Sequence, residues 1–166
     1  MSEATRDDLL RAAVRLREEG RPEEARKTLV ALAAGHPHDA EVAYQTAWVH
    51  DVLGLEAEAV PYYEQCLGTE GLTADDRHGA YLGLGSTYRI LGRYADAVST
   101  LGRGLAEFPE DGALQTFLAM ALFNTDHHHE AMRILLKIIA RTSDDPRIRP
   151  YRPAIEHYAQ DLDQTV

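Results

Sequence analysis

Apolar residues recur along the chain at helical spacing, in short blocks separated by turn residues. Leu9, Ala12 and Leu16 form the first block, and Leu29 and Leu32 the second. Tyr81, Leu84 and Tyr88 follow, then Leu101 and Leu105, Leu118 and Leu122, and Leu135 and Ile138. Each block marks one buried face of an amphipathic helix. Glycines and an aspartate interrupt the pattern at regular intervals, which predicts pairs of helices joined by tight turns.

The intervals carry a register. Ala25, Ala59, Ala97 and Ala131 are spaced 34, 38 and 34 residues apart, inside the similar phrases EEARKTLVAL, AEAVPYYEQCL, ADAVSTLGRGL and HEAMRILLKII. Five residues before each alanine stands a turn residue: Gly20, Gly54, Gly92 and Asp126. Twelve before it stands a small residue (Ala13, Ala47, Gly85, Ala119), and twelve after it Pro37, Gly71, Pro109 and Ser143. Small residues let two antiparallel helices approach closely, glycine can end the first in the left-handed region, and proline stops the second from continuing. A 34-residue period with these residues in phase resembles the tetratricopeptide repeat (TPR). The resemblance implies an all-α, right-handed α-solenoid of four helix-turn-helix repeats, at about 6–39, 40–77, 78–111 and 112–145, in a single domain over 1–166. A helix at about 152–163, started by Pro153 and carrying Ile155, Tyr158 and Leu162 on one stripe, is expected to cap the last repeat.

Two irregularities break the period. The second repeat holds four extra residues in the loop GTEGLTADDRHG, where Thr73 followed by Asp75 and Asp76 predicts a new helix start. Pro61 falls inside the second helix of repeat two, where it removes one backbone donor and is expected to bend the helix. From Tyr44 to about Ile139 the chain resembles the group 5 TPR domain of mostly bacterial proteins. The matching stretches are AWVHDVLGLEAEAVPYYEQCL, LGLGSTYRILGRYADAV and FLAMALFNTDHHHEAMRILL. Tyr88 replaces an expected leucine. This resemblance implies a fold and carries no assigned activity.

Composition narrows the function classes. The formal net charge of -10 argues against tracking a phosphate backbone. No run of 18 apolar residues exists for a transmembrane helix. The charged start, Met1 to Asp8, has no apolar core for a secretory leader, so a cytoplasmic location is expected. The two lysines against many arginines suggest a GC-rich bacterial source. Cys66, the single cysteine, excludes an internal disulfide and a multi-cysteine zinc site and reads as a small core residue. His127, His128 and His129 are adjacent at a turn and point in different directions, so they read as solvated residues and not as metal ligands. No phosphate-cradling loop or zinc-protease motif occurs, and the chain is expected to have no enzymatic activity, no cofactor and no bound metal.

In a TPR stack, the first helix of each repeat lines a concave groove, at positions 18, 15, 14, 11 and 8 before the register alanine. These are Asp7, Leu10, Arg11, Val14 and Arg17; Glu41, Tyr44, Gln45, Trp48 and Asp51; Gly79, Leu82, Gly83, Ser86 and Arg89; and Ala113, Thr116, Phe117, Met120 and Phe123. The candidate protein-binding residues are Tyr44, Trp48, Asp51, Ser86, Arg89, Phe117, Met120 and Phe123. Tyr44 and Trp48 supply aromatic anchors, with Phe117, Met120 and Phe123 as an opposite wall, while Gly79, Gly83 and Ser86 leave space between. The alternative is that these residues pack on one another. Asp51 and Arg89, at equivalent positions, either pair across the groove floor or hold a polar ligand group. The groove has no lysine and only one asparagine, Asn124, at the end of its helix, so the carboxylate clamp of chaperone-binding TPR domains, which uses lysines and two asparagines, is expected to be missing. The function expected is a scaffold or adaptor that holds an unidentified protein or peptide segment in the groove. The alternative is a self-associating homodimer whose groove or end face is filled by its own chain or another copy.

Overall fold

The structure is a computed structural model that describes residues 5–165. Met1 to Ala4, part of the charged start, and Val166 lie outside them. The described residues are helical and contain no strand. Contacts group the chain into two compact units, Met1–Gly92 and Arg93–Val166.

The first unit holds α1 (Arg6–Glu18), α2 (Pro22–Gly35), α3 (Ala40–Val52), α4 (Glu56–Gly68) and α5 (Ala74–Ile90). Each helix packs on the next, and α3 also touches α1 and α5. The second unit holds α6 (Tyr94–Glu107), α7 (Gly112–Phe123), α8 (His128–Thr142), a 3-10 turn at Arg149–Tyr151 and α9 (Arg152–Tyr158). Here α7 packs between α6 and α8, and α9 lies on α8.

The register residues do what their size requires. Ala25, Ala59 and Ala97 are fully buried, Ala131 nearly so, and Ala13, Ala47, Gly85 and Ala119 are buried as well. The turns are left-handed at Gly20, Gly54 and Gly92, and at Asp126, with φ of 78°, 70°, 75° and 63°. Aspartate tolerates that region better than most non-glycine residues. After Gly20, Gly54 and Asp126, the next amide reaches back to close the turn: Arg21 to the Leu16 carbonyl, Leu55 to His50 and His127 to Leu122. The first helix of every pair starts differently. Thr5, Asp39, Thr73 and Asp111 accept from the amides of Asp8, Val42, Asp76 and Leu114 and cap α1, α3, α5 and α7. The helices that follow the tight turns, α2, α4, α6 and α8, have no side-chain cap.

The expected apolar blocks are largely buried: Leu29, Leu32, Tyr81, Leu84, Tyr88, Leu101 and Leu122 form core. The first block is shifted by one position. Leu10 and Ala13 enter the core with Leu29, Leu32, Val42 and Val49, while Leu9 is exposed. Thr73 caps α5 as expected, but the inserted length goes mainly into the helix: α5 has 17 residues against 13 in α1 and α3, while the loop before it, 69–73, is little longer than that at 36–39. Pro61 sits within α4 on its exposed face, and the helix runs on through it. The last helix is shorter than expected, ending at Tyr158. Tyr158 and Leu162 are exposed, Ile155 is half-buried, and the residue seated against the unit is Ala159. The stripe fails because the chain leaves the helix before Leu162 can join it.

Leu84 is 3% exposed. Leu84→Ala should lower unfolding free energy by about 2–5 kcal/mol in urea denaturation followed by circular dichroism. A change under 1 kcal/mol would place it outside the core.

Candidate functional site

In the first unit the groove positions divide into floor and rim. Leu10 and Tyr44, both 15 before their register alanine, are buried. Arg11 is exposed and Val14 half-buried. Leu10, Arg11, Val14, Arg15, Glu41, Gln45 and Asp76 enclose a cleft of about 370 Å³. Five of these seven, from α1 and α3, are groove positions read from the repeat register. Leu10 and Val14 give the cleft an apolar strip, and Arg11, Arg15, Glu41 and Asp76 put both signs of charge along it.

Trp48 stands on the same face of α3, 40% exposed. The Arg17 guanidinium lies 3.5 Å from the centre of its ring, and the Tyr44 ring is 5.7 Å away, tilted. Arg17 donates to the Gln45 Oε1 at 2.8 Å.

The space expected at Gly79 and Gly83 is already occupied. A Cβ on Gly79 would collide with the Tyr44 hydroxyl, and one on Gly83 with the Tyr63 hydroxyl. The two glycines are one helical turn apart on α5, and each receives the tip of a tyrosine from the preceding pair. Tyr44 is therefore a core residue and not a free anchor. Asp51 also departs from expectation. It accepts from the Tyr63 hydroxyl at 2.7 Å and from the Thr87 hydroxyl at 2.9 Å, and no ion pair joins it to Arg89. Arg89 is half-buried on α5, its Nε without a hydrogen-bond partner. Ser86, on the same helix, is half-buried. Burial pushes the Asp51 carboxyl above its ordinary value, and the two hydroxyls draw it part of the way back. Burial and then the Asp51 charge push the Tyr63 hydroxyl up, and burial takes Tyr44 to about 12.

Sequence reasoning missed Tyr63 and Thr87. The signal available was the Gly79–Gly83 spacing, which marks a helix face approached closely by something bulky.

In the second unit Phe117 is half-buried, and Met120 and Phe123 are exposed. The Phe123 ring packs 4.7 Å from that of His128. The three histidines diverge: His127 Nδ1 meets Thr125, His128 lies 3.5 Å from Asp126, and His129 lies 3.1 Å from Asp163. Cys66 is fully buried, its thiol pushed up to about 12 by burial. Among the described residues no helix is long and apolar enough to cross a membrane.

The repeat register, its left-handed turns and its capped first helices agree with one family model, described as tetratrico peptide repeat (TPR_5), which matches residues 40–162. The chain belongs to this tetratricopeptide-repeat family. Solved structures with the same fold include a MamA fragment from Desulfovibrio magneticus RS-1, at 21% identity and TM-score 0.73, covering 96% of this chain and 92% of that one. The TPR-like repeats of a putative kinesin light chain from Podosopora anserina match at 23% identity and TM-score 0.70, covering 99% and 91%. The APC/C hetero-tetramer Cut9–Hcn1 matches at 17% and TM-score 0.74, covering 94% of this chain and 30% of that one. No curated protein matches. At these identities the likeness establishes the fold. A TPR fold is in general a protein-interaction module.

Two measurements test the packing beneath Trp48. Gly83→Ala forces a methyl group into the Tyr63 hydroxyl and should cost about 1–3 kcal/mol. Gly102→Ala, with open space around it, should be neutral or stabilising by up to about 1 kcal/mol. Equal effects in urea denaturation would refute the contact. Asp51 has its folded pKa raised above the unfolded value of 3.8. The folded state then holds the proton more tightly, so this site's stabilisation is full below that value and is lost as pH rises through the folded pKa. The melting temperature of wild type minus that of Asp51→Asn should therefore fall as pH rises from below 3.8. A difference that grows with pH would show the hydroxyl bonds outweighing burial.

Proposed function

We propose that the chain is a non-enzymatic adaptor whose first unit holds a segment of another protein along the face shared by α1, α3 and α5. The observation that carries this reading is the cleft over Leu10 and Val14, rimmed by Arg11, Glu41 and Gln45 at register-predicted positions. An apolar strip with charges of both signs at its edge suits an amphipathic peptide, which buries apolar side chains and is oriented by its polar ones. Trp48, Asp51, Ser86 and Arg89 extend the same reading along α3 and α5, with Trp48 the exposed anchor. Phe117, Met120 and Phe123 form a separate candidate surface on the second unit. The arginine-rich, lysine-poor composition supports a bacterial source.

Peptides selected against the whole chain from a random displayed library should bind this face. Val14→Arg, which places a charged stem in the cleft, should weaken them at least about tenfold, a loss of roughly 1.4 kcal/mol. Lys27→Glu, on the exposed side of α2, should not. Binding insensitive to Val14→Arg would refute the cleft. Light scattering of the protein alone would show a dimer if a second copy were the occupant.

A further inference from the structure

A buried cation normally has a carboxylate beside it, because dehydrating a charge is costly unless an opposite charge or several hydrogen bonds replace the water. Arg17 is 9% exposed. Among the described residues no carboxylate lies within ion-pair distance of it. Its one hydrogen-bond partner is the neutral amide oxygen of Gln45, and its flat face is taken up by Trp48. Glu18, next along α1, acts on it through space without forming a pair. The other three arginines of α1 are placed differently: Arg6 grips Asp39 through two nitrogens and also reaches Glu41, Arg11 bonds Asp8, and Arg15 is exposed to water. Arg17 alone on this helix is both buried and unpaired, and dehydration lowers its affinity for the proton.

Its surroundings fix it in a receptive geometry. Gln45 holds one terminal nitrogen and also lines the cleft, and the Trp48 ring lies against the guanidinium, 3.5 Å from its centroid to the guanidinium carbon. A guanidinium so fixed has lost its rotational freedom before any ligand arrives, and a carboxylate can accept from its fork in two parallel bonds.

We infer that Arg17, held by Gln45 and Trp48, is an anion anchor that recognises an acidic side chain of the partner peptide, next to the apolar residues seated over Leu10 and Val14. This rests on the proposed peptide-binding role of the face and adds the chemistry of its ligand. The anchor selects Asp or Glu within a peptide, and a free C-terminal carboxylate is the other source of the same group.

The test uses the full chain and two displayed random libraries, one with every peptide fused at both ends and one with free C-termini. Wild type should enrich peptides with Asp or Glu at one fixed distance from an apolar pair in the first library. Replacing that acid by Gln or Asn in a synthetic capped peptide should weaken binding about tenfold or more, read from the fluorescence of Trp48, the single tryptophan. Arg17→Gln should reduce that ratio to near one. Should Arg17→Gln unfold, Gln45→Glu supplies an internal carboxylate at the same nitrogen; it should raise the melting temperature and remove the acidic preference. Enrichment only in the free-terminus library would overturn the side-chain assignment. Binders without an acidic position, or a preference that survives Gln45→Glu, would overturn the anchor and leave the groove standing. A selection that yields no binders would overturn both.

Discussion

The distance between α5 and the helices before it governs the candidate face. That distance is short because α5 offers bare backbone at Gly79 and Gly83, and the hydroxyl ends of Tyr44 and Tyr63 reach those two points. Tyr63 then lies close enough to bond Asp51, and Asp51 reaches Thr87 on α5 itself. The helices are thus locked by shape at the glycines and by polar bonds beside them. A larger residue on α5 would push the tyrosines back and take Asp51 away from its donors. Trp48, which leans on Tyr44, would lose its support, and Arg17 its platform.

Much of the scaffold was legible in the sequence because the residues that set it have few alternatives. A position with positive φ accepts glycine or a short polar residue, and a crossing point between close helices accepts alanine or glycine. Those constraints wrote the register that named the helix pairs and their turns; the start of α5 came from a separate signal, the capping hydroxyl of Thr73 followed by Asp75 and Asp76. The shift of the first block from Leu9 to Leu10 was hidden, since both are leucines and hydrophobicity alone does not tell which side a neighbour covers. The last helix was overextended because Leu162 continues an apolar spacing that the backbone does not follow.

The candidate face was half legible. Spacing from the register alanine found Leu10, Arg11, Val14, Glu41 and Gln45, since it measures where a side chain leaves the helix. It did not measure what arrives from the neighbouring helix. Gly79 and Gly83 therefore read as empty space, although side chains of the same chain fill it. The pairing of Asp51 with Arg89 failed because two hydroxyls already occupy the carboxylate, that of Tyr63 from α4 and that of Thr87 from α5. Residues on the second helix of a pair decide how much of the concave side is free, and a groove formula drawn from first helices alone overlooks them.

The contact pattern has a kinetic consequence. Within each unit a helix touches the one before it, the one after it, or at most the next but one. Few long stretches of chain must be gathered before native contacts form, so the entropy lost to loop closure is small. Chains with such local wiring fold in about microseconds to milliseconds, far faster than sheet proteins of equal stability. The link before α5, at 69–73, is nearly as short as that at 36–39, so α5 reaches the α3–α4 hairpin, where Gly79 and Gly83 dock, without a long search.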